Sequence, residues 1–272
     1  MEKLSNSQLK KIGKALVDGS ETDDQLNQLD ELLSRCDEVQ VQASEVLARS
    51  LSSVTLTSGG KLEVRGRAKT LITLREKLVR MGGQALPVIR DLAGLRIVGD
   101  MTITEQDMVL NHACDALGVS AEQRKIIDRR QIPMRGYRAL HAEFQLDEVR
   151  VELQVRTQLQ HVWAEVYERA GDKLGRSIRY PNDESSRSAT PEIAEFIGTM
   201  ENFSAILQQL EDARSRISNL SNNAVGLDPS TGEPFGISDV VAEEAKIRSS
   251  LTSKLVGIGR MLDELPVSKE AQ

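Results

Sequence analysis

The stretch Val149-Arg150-Val151-Glu152-Leu153-Gln154-Val155-Arg156-Thr157 alternates apolar and polar side chains without a break, the period of a strand with one face in a core. Its polar row is Arg150, Glu152, Gln154 and Arg156, which can handle a charged substrate or simply meet water. A second carboxylate, Asp91, stands just before a glycine-containing turn into the apolar run Leu95–Val98. Upstream, the segment from Arg65 to Arg80 carries Arg65, Arg67, Lys69, Arg75, Lys77 and Arg80 against the single acid Glu76. Moving a pyrophosphoryl group requires a hard metal held by carboxylates, cations for phosphates, flat groups for bases and a base for the attacking hydroxyl. All four kinds of residue occur here, and Asp91 and Glu152 can share one Mg²⁺ if a sheet brings them together. Each also has a plainer reading alone: a surface acid, a solvated basic helix face, a strand tyrosine at Tyr137, structural histidines at His141 and His161.

The elements that must position these residues follow from periodicity. Leu9, Ile12 and Leu16, then Leu26, Leu29 and Leu33, predict two N-terminal helices broken at Asp18-Gly19-Ser20. After Gly59-Gly60, a short strand at 61–65 feeds a basic helix from Thr70 to Met81. Leu95–Val98 reads as a buried strand and 105–117 as a helix. The run from Tyr137 to Leu146 alternates like a strand and pairs with 149–157 through the turn Asp147-Glu148, before a helix from Gln158 to about Leu174. The polar stretch 182–190 reads as a linker, with Pro191 opening the next helix. A 3-4 spacing runs through Phe196, Met200, Phe203, Leu207, Leu210, Ile217 and Leu220, and again through Leu251, Leu255, Ile258, Leu262 and Leu265. This predicts a helical hairpin that either packs on the rest of the chain or meets a partner. The expected organisation is an N-terminal helical segment at 1–58, a catalytic domain at 59–181 and a C-terminal hairpin at 190–266.

Composition sets the wider bounds. The chain has 272 residues, 39% hydrophobic, with a net charge of −6, which suits a globular protein and argues against a surface built wholly for nucleic acid. Nothing approaches the ~20 apolar residues of a membrane span, and the N-terminus has no apolar leader core, so a cytoplasmic location is expected. Cys36 and Cys114 have no metal-ligand spacing and are expected to be buried, reduced thiols.

In order, the chain presents Gly66-Arg67-Ala68-Lys69, Arg90-Asp91-Leu92-Ala93-Gly94-Leu95-Arg96-Ile97, Gly136-Tyr137-Arg138-Ala139-Leu140-His141 and Val151-Glu152-Leu153-Gln154-Val155-Arg156-Thr157. Over roughly residues 60–175 this succession resembles the synthetase domain of the RelA/SpoT alarmone family. The resemblance implies an α+β fold: a mixed central β-sheet of the nucleotidyltransferase kind, flanked by helices and extended at both ends by helical segments. It implies that Arg67 and Arg96 hold the adenine of ATP between planar guanidinium groups, and that Lys69, Lys77 and Arg80 meet its phosphates. Asp91 and Glu152 become the Mg²⁺ ligands, with Glu152 also taking the proton from the acceptor 3′-hydroxyl. Tyr137 stacks on the acceptor guanine, His141 lies near the acceptor phosphates or ribose, and Gln154 and Arg156 shape the acceptor site. His161 stands where the family often has an asparagine, and Trp163 and Glu165 read as packing and helix-surface residues.

The implied reaction is transfer of pyrophosphate from ATP to the 3′-hydroxyl of GTP or GDP, giving the alarmone (p)ppGpp and AMP. One departure concerns the loop Arg129-Arg130-Gln131-Ile132-Pro133-Met134-Arg135-Gly136-Tyr137, shorter than in many family synthetases and without their lysine; Arg129, Arg130 and Arg135 are candidates to replace that cation. Because the loop borders the acceptor, the alternative acceptor is the tRNA 3′ CCA end used by toxin-type members. A third reading is a non-catalytic nucleotide sensor, against which the retention of both carboxylates weighs. The family's histidine-aspartate hydrolase site has no counterpart, since none of the three histidines is followed by Asp. Small members often form homo-oligomers through flanking helices, so self-association is expected here too.

Overall fold

Four of the helices begin at a Ser or Thr whose side chain caps a backbone N–H while a Gln or Glu three residues on caps it in return, the reciprocal arrangement that fixes where a helix starts. The computed structural model describes residues 4–81, 83–175, 178, 190–222 and 237–266; the side chains of 67, 68, 83–85, 220–222, 237 and 238 lie outside that description. Along the chain run α1 (Asn6–Asp18), α2 (Asp23–Leu51), β1 (Glu63–Ala68), α3 (Leu71–Met81), β2 (Ala93–Gly99), α4 (Ile103–Ala116), β3 (Lys125–Asp128), β4 (Leu140–Leu146), β5 (Val149–Thr157), α5 (Gln158–Leu174), α6 (Pro191–Asn222) and α7 (Ile237–Glu264). Gly19, in the left-handed region at φ 65°, ends α1, where a residue without a Cβ closes a helix at least cost.

The strands form one mixed sheet in the order β1-β2-β5-β4-β3, with β2 and β5 parallel and the other pairs antiparallel. Ala93, Leu95 and Ile97 pair with Val151, Leu153 and Val155, and these with Phe144, Ala142 and Leu140. All are buried. This apolar face shares a core with Leu47 and Val39 of α2, Leu74 and Leu78 of α3, and Val109 and Ala113 of α4; α1 adds Ile12 and Leu16. The opposite face carries the polar row, and α5 lies over part of it.

Three boundaries differ from the sequence expectation. Strand β4 starts at Leu140 rather than Tyr137, because Arg135 and Gly136 both take positive φ and draw 134–137 into a tight turn. β1 runs to Ala68, since β2 offers a partner along its whole length. β3, four residues inside a basic loop, has no periodicity long enough to announce it and exists as an edge strand on β4. The turn at Asp147-Glu148 holds two residues at positive φ, as a two-residue hairpin requires.

A second core holds the C-terminal helices. Trp163, Val166, Tyr167 and Ala170 of α5 meet Ile197, Met200 and Leu207 of α6 and Leu251, Leu255 and Leu262 of α7. Trp163 stacks on Tyr167 at 4.8 Å, and Tyr167 on Phe196 at 6.2 Å. Met200 and Leu207 of the first 3-4 stripe and Leu251, Leu255 and Leu262 of the second are thus buried within the chain, while Leu265 is exposed. Residues 182–189 of the expected linker at 182–190, and residues 223–236, lie outside the described residues. Cys36 and Cys114 are buried free thiols, and burial pushes the Cys36 thiol up to about 11. No described helix is long and apolar enough to cross a membrane.

Candidate active site

Parallel pairing of β2 with β5 sets Gly94 beside Glu152 and Arg96 beside Gln154, while antiparallel β4 sets His141 across from Gln154. Neighbours in register share a sheet face, so Arg96, His141, Glu152 and Gln154 converge on the polar side. A closed circuit of hydrogen bonds joins five of the expected residues. His141 Nδ1 lies 3.0 Å from Glu152 Oε1 and its Nε2 2.9 Å from the Tyr137 hydroxyl. Gln154 Nε2 donates to Glu152 Oε2 at 2.9 Å. Arg156 Nη2 donates to Gln154 Oε1 at 2.9 Å and to the Tyr137 hydroxyl at 3.0 Å, closing the ring. Burial disfavours the charge on Glu152, yet His141 and Gln154 outweigh it and hold the carboxyl below its ordinary value; the charge of Asp91 acts in the opposite sense. Glu152 is therefore an acceptor-only carboxylate near neutrality.

Asp91, just ahead of β2, accepts from Lys69 Nζ at 2.5 Å and from Lys77 Nζ at 2.6 Å, one lysine on each oxygen. Burial pushes its carboxyl up, but the two ammonium groups prevail and bring it down to about 2. Lys69 follows β1 and Lys77 projects from α3. Arg80 is exposed in the last turn of the same helix. The backbone of Arg67 pairs with Gly94 on β2; its side chain lies outside the described residues.

Arg96 donates to Glu165 Oε1 at 2.8 Å, and its Nη2 lies 3.6 Å from Glu168, which also stands 3.7 Å from Arg156. Glu165, with a side chain 42% exposed, is thus the helix-surface residue that the sequence suggests and also an ion-pair partner of a site arginine. Glu168 was not singled out at all. Their signal was the polar stripe His161, Glu165, Glu168 at i, i+4, i+7 on the helix that follows β5. His161 Nδ1 is buried without a hydrogen-bond partner, 3.8 Å from Glu165. Burial, reinforced by Arg156, Arg96 and Arg65, outweighs the opposing pull of Glu165 and lowers its pKa, so the ring is neutral near pH 7. Arg156, with a side chain 2% exposed, sits 5.1 Å from the centre of the Tyr137 ring, a cation–π contact.

The basic loop divides its arginines. Arg130 is buried and committed to Asp107 and Asp128, each at 2.7 Å, which makes it part of the support for β3 and α4. Arg135 Nη1 lies 3.7 Å from Glu201 of α6. Arg138 reaches Ser204 and Gln208 of the same helix. Trp163 is a packing residue, its indole N–H on the Met200 carbonyl at 2.8 Å.

Residues 66–173, which hold every strand but the start of β1 together with α5, match the family model described as the region found in RelA / SpoT proteins. Two relatives, each an uncharacterized protein, one from Mycobacterium bovis and one from Mycobacterium tuberculosis, are 35% identical over 211 residues, covering 76% of this chain and 74% of theirs. The chain belongs to the RelA/SpoT family. Its synthetase-like domain makes it an enzyme of the pyrophosphotransferase class. In fold, this RelA/SpoT protein is similar to the small alarmone synthetase 1 from Bacillus subtilis, with a TM-score of 0.50 at 18% identity over 74% of this chain and all of that one. The same synthetase bound to its product pppGpp gives a TM-score of 0.50 at 19% identity, over 72% and 98%. The α+β architecture expected from the motifs is the one found.

Proposed function

We propose that this RelA/SpoT protein is an alarmone synthetase, an ATP:GTP or ATP:GDP 3′-diphosphotransferase. The observation that carries the proposal is the circuit that fixes Glu152 between His141 and Gln154 beside Tyr137, with the Lys69–Asp91–Lys77 cluster just ahead of the neighbouring strand. Lys69, Lys77 and Arg80 bind the ATP phosphates. Arg67 and Arg96 embrace the adenine, with Arg96 aimed by Glu165. Tyr137 stacks on the acceptor base, and His141, Gln154, Arg156, His161 and Arg135 border the acceptor.

Two carboxylates are what Mg²⁺ typically takes from protein when substrate phosphates complete its shell, and Asp91 is near enough to influence the charge of Glu152. The donor set therefore fits Mg²⁺ arriving with a nucleotide, and Asp91 and Glu152 would hold it. When bound, the ion neutralises phosphate charge. Glu152 takes the proton of the 3′-hydroxyl; the hydroxyl oxygen bonds to the β-phosphorus of ATP, the bond from that phosphorus to the α-β bridging oxygen breaks, and AMP departs with the bonding pair.

The test offers purified protein, Mg²⁺ and γ-labelled ATP to GDP, GTP and deacylated tRNA in parallel. Label in a guanosine polyphosphate is expected. Label on tRNA alone would replace this reading with the toxin-type one, and label in no product from folded protein would favour a nucleotide sensor. No hydrolysis of the product is expected, since none of the three histidines is followed by Asp. Self-association is part of the same proposal, supported by the exposed Val240, Ile247 and Met261 of α7; sedimentation as a monomer would remove it.

A further inference from the structure

Tyr137 is held from two sides. Its hydroxyl belongs to the circuit above, but its backbone is fixed by α6. The Tyr137 N–H donates to the Met134 carbonyl at 3.0 Å, and Arg135 and Gly136 between them take φ of 52° and 81°. The residues on either side of Tyr137 are then tied to one hydroxyl. Ser204 Oγ donates to the Gly136 carbonyl at 2.5 Å and accepts from Arg138 Nε at 2.9 Å, using its one proton and one lone pair. Ser204 is 1% exposed, so water cannot readily replace it.

Gln208, one turn further along α6, accepts from Arg138 Nη1 at 3.1 Å. Glu201, one turn before Ser204, lies 3.7 Å from Arg135 Nη1. Glu201, Ser204 and Gln208 thus form a stripe that meets residues 135, 136 and 138 in turn. There is no slack beneath it: a Cβ on Gly136 would stand 2.9 Å from Trp163 Cζ2, 3.1 Å from Ser204 Cβ and 3.3 Å from the Glu201 Cα. Helix α6 begins at Pro191, past residue 173, where the family match ends.

We propose that α6 is a wall of the acceptor subsite and that Ser204 is a positioning residue, setting the Tyr137 ring for the acceptor base through Gly136 and Arg138. The inference rests on the reading of Tyr137 as the acceptor-stacking residue. Ser204 touches no substrate; its loss leaves a carbonyl and a guanidinium N–H unpaired and lets the turn shift. The acceptor site is thereby governed from a helix outside the matched catalytic region.

The experiment measures steady-state kinetics with ATP and GDP for Ser204→Ala and Gln208→Ala, together with amide hydrogen exchange across residues 134–157. In Ser204→Ala the KM for GDP should rise about tenfold while the KM for ATP stays within about twofold. Gln208→Ala should show the same split, more weakly. Exchange should quicken at 134–138 and stay unchanged in β4 and β5. An unchanged GDP KM in folded Ser204→Ala overturns the proposal, and so does a parallel rise for both substrates, which would mark Ser204 as merely structural. If Ser204→Ala does not fold, Gln208→Ala decides by the same split. Should the wild-type protein transfer to no acceptor, the functional reading fails, and exchange alone decides positioning: an unchanged 134–138 turn in the folded variant overturns it.

Discussion

Glu152 has a donor on each oxygen and Asp91 a lysine on each, so neither site carboxylate depends on solvent to stay charged. This separates what each does when altered. Glu152→Gln keeps a side chain of the same shape but removes the carboxylate that we propose as base and metal ligand. Pyrophosphoryl transfer from labelled ATP should fall by roughly 10²-fold or more, with the melting temperature little changed. At Asp91 the sign of the pH effect follows from a carboxyl lowered to about 2. Its stabilising contribution is complete above the ordinary carboxylate range and is lost as pH falls through about 2. Replacing both partners, Lys69→Met with Lys77→Met, should raise the Asp91 pKa well above about 2 in a carboxyl NMR titration. The same variant should weaken binding of an ATP analogue by at least about tenfold.

At the scale of elements, the join between β5 and α5 matters most. Thr157 ends β5, caps the following helix and donates to Glu211 of α6, which also accepts from Gln160 at 3.0 Å. Gln160 in turn accepts from Gln106, which donates to the Val155 carbonyl as well. Glu211 is buried, and burial raises its carboxyl to about 7, against the opposing pull of Thr157, Gln160, Arg214 and Arg138. Because the folded form binds this proton more tightly than the unfolded chain, stability should fall as pH rises from the ordinary carboxylate range through about 7. Glu211→Gln should flatten that slope; melting temperatures at pH 5.5 and 7.5 measure it, and an equal slope in both proteins would remove Glu211 as its source.

For the whole molecule, the described residues form two cores, and α5 belongs to the second. One is built on the apolar sheet face, the other on Trp163, Val166 and Tyr167 against α6 and α7. The C-terminal helices bury large aromatic and aliphatic surfaces of a helix that also carries Glu165 and Glu168 to the site. A chain ended at Leu174 should expose those side chains and lose stability by several kcal/mol. It should bind a hydrophobic dye and melt well below the full chain. A truncated chain with an unchanged melting temperature would show the second core to be dispensable.

The strict alternation of 149–157 was enough to define β5 to the residue and to separate its core face from its polar face, because a strand has a period that local sequence must obey. The order of the four motifs likewise carried the family. Other features were not local. β3 has too few residues for a period and exists only because β4 presents an open edge. The partners of Arg96 and Arg138 lie 69 and 66 residues away in sequence, so Glu165 and Ser204 read as ordinary helix positions until α5 and α6 are in place. The 3-4 stripes of α6 and α7 announced buried faces but not against what, since an apolar stripe is satisfied equally by its own chain or another. The sequence by itself determined the chemistry available to this protein, because residue type and period are local properties. Only the tertiary structure decided how Tyr137 is held, because that depends on a helix nearly 70 residues away closing over a turn whose own sequence gives no sign of it.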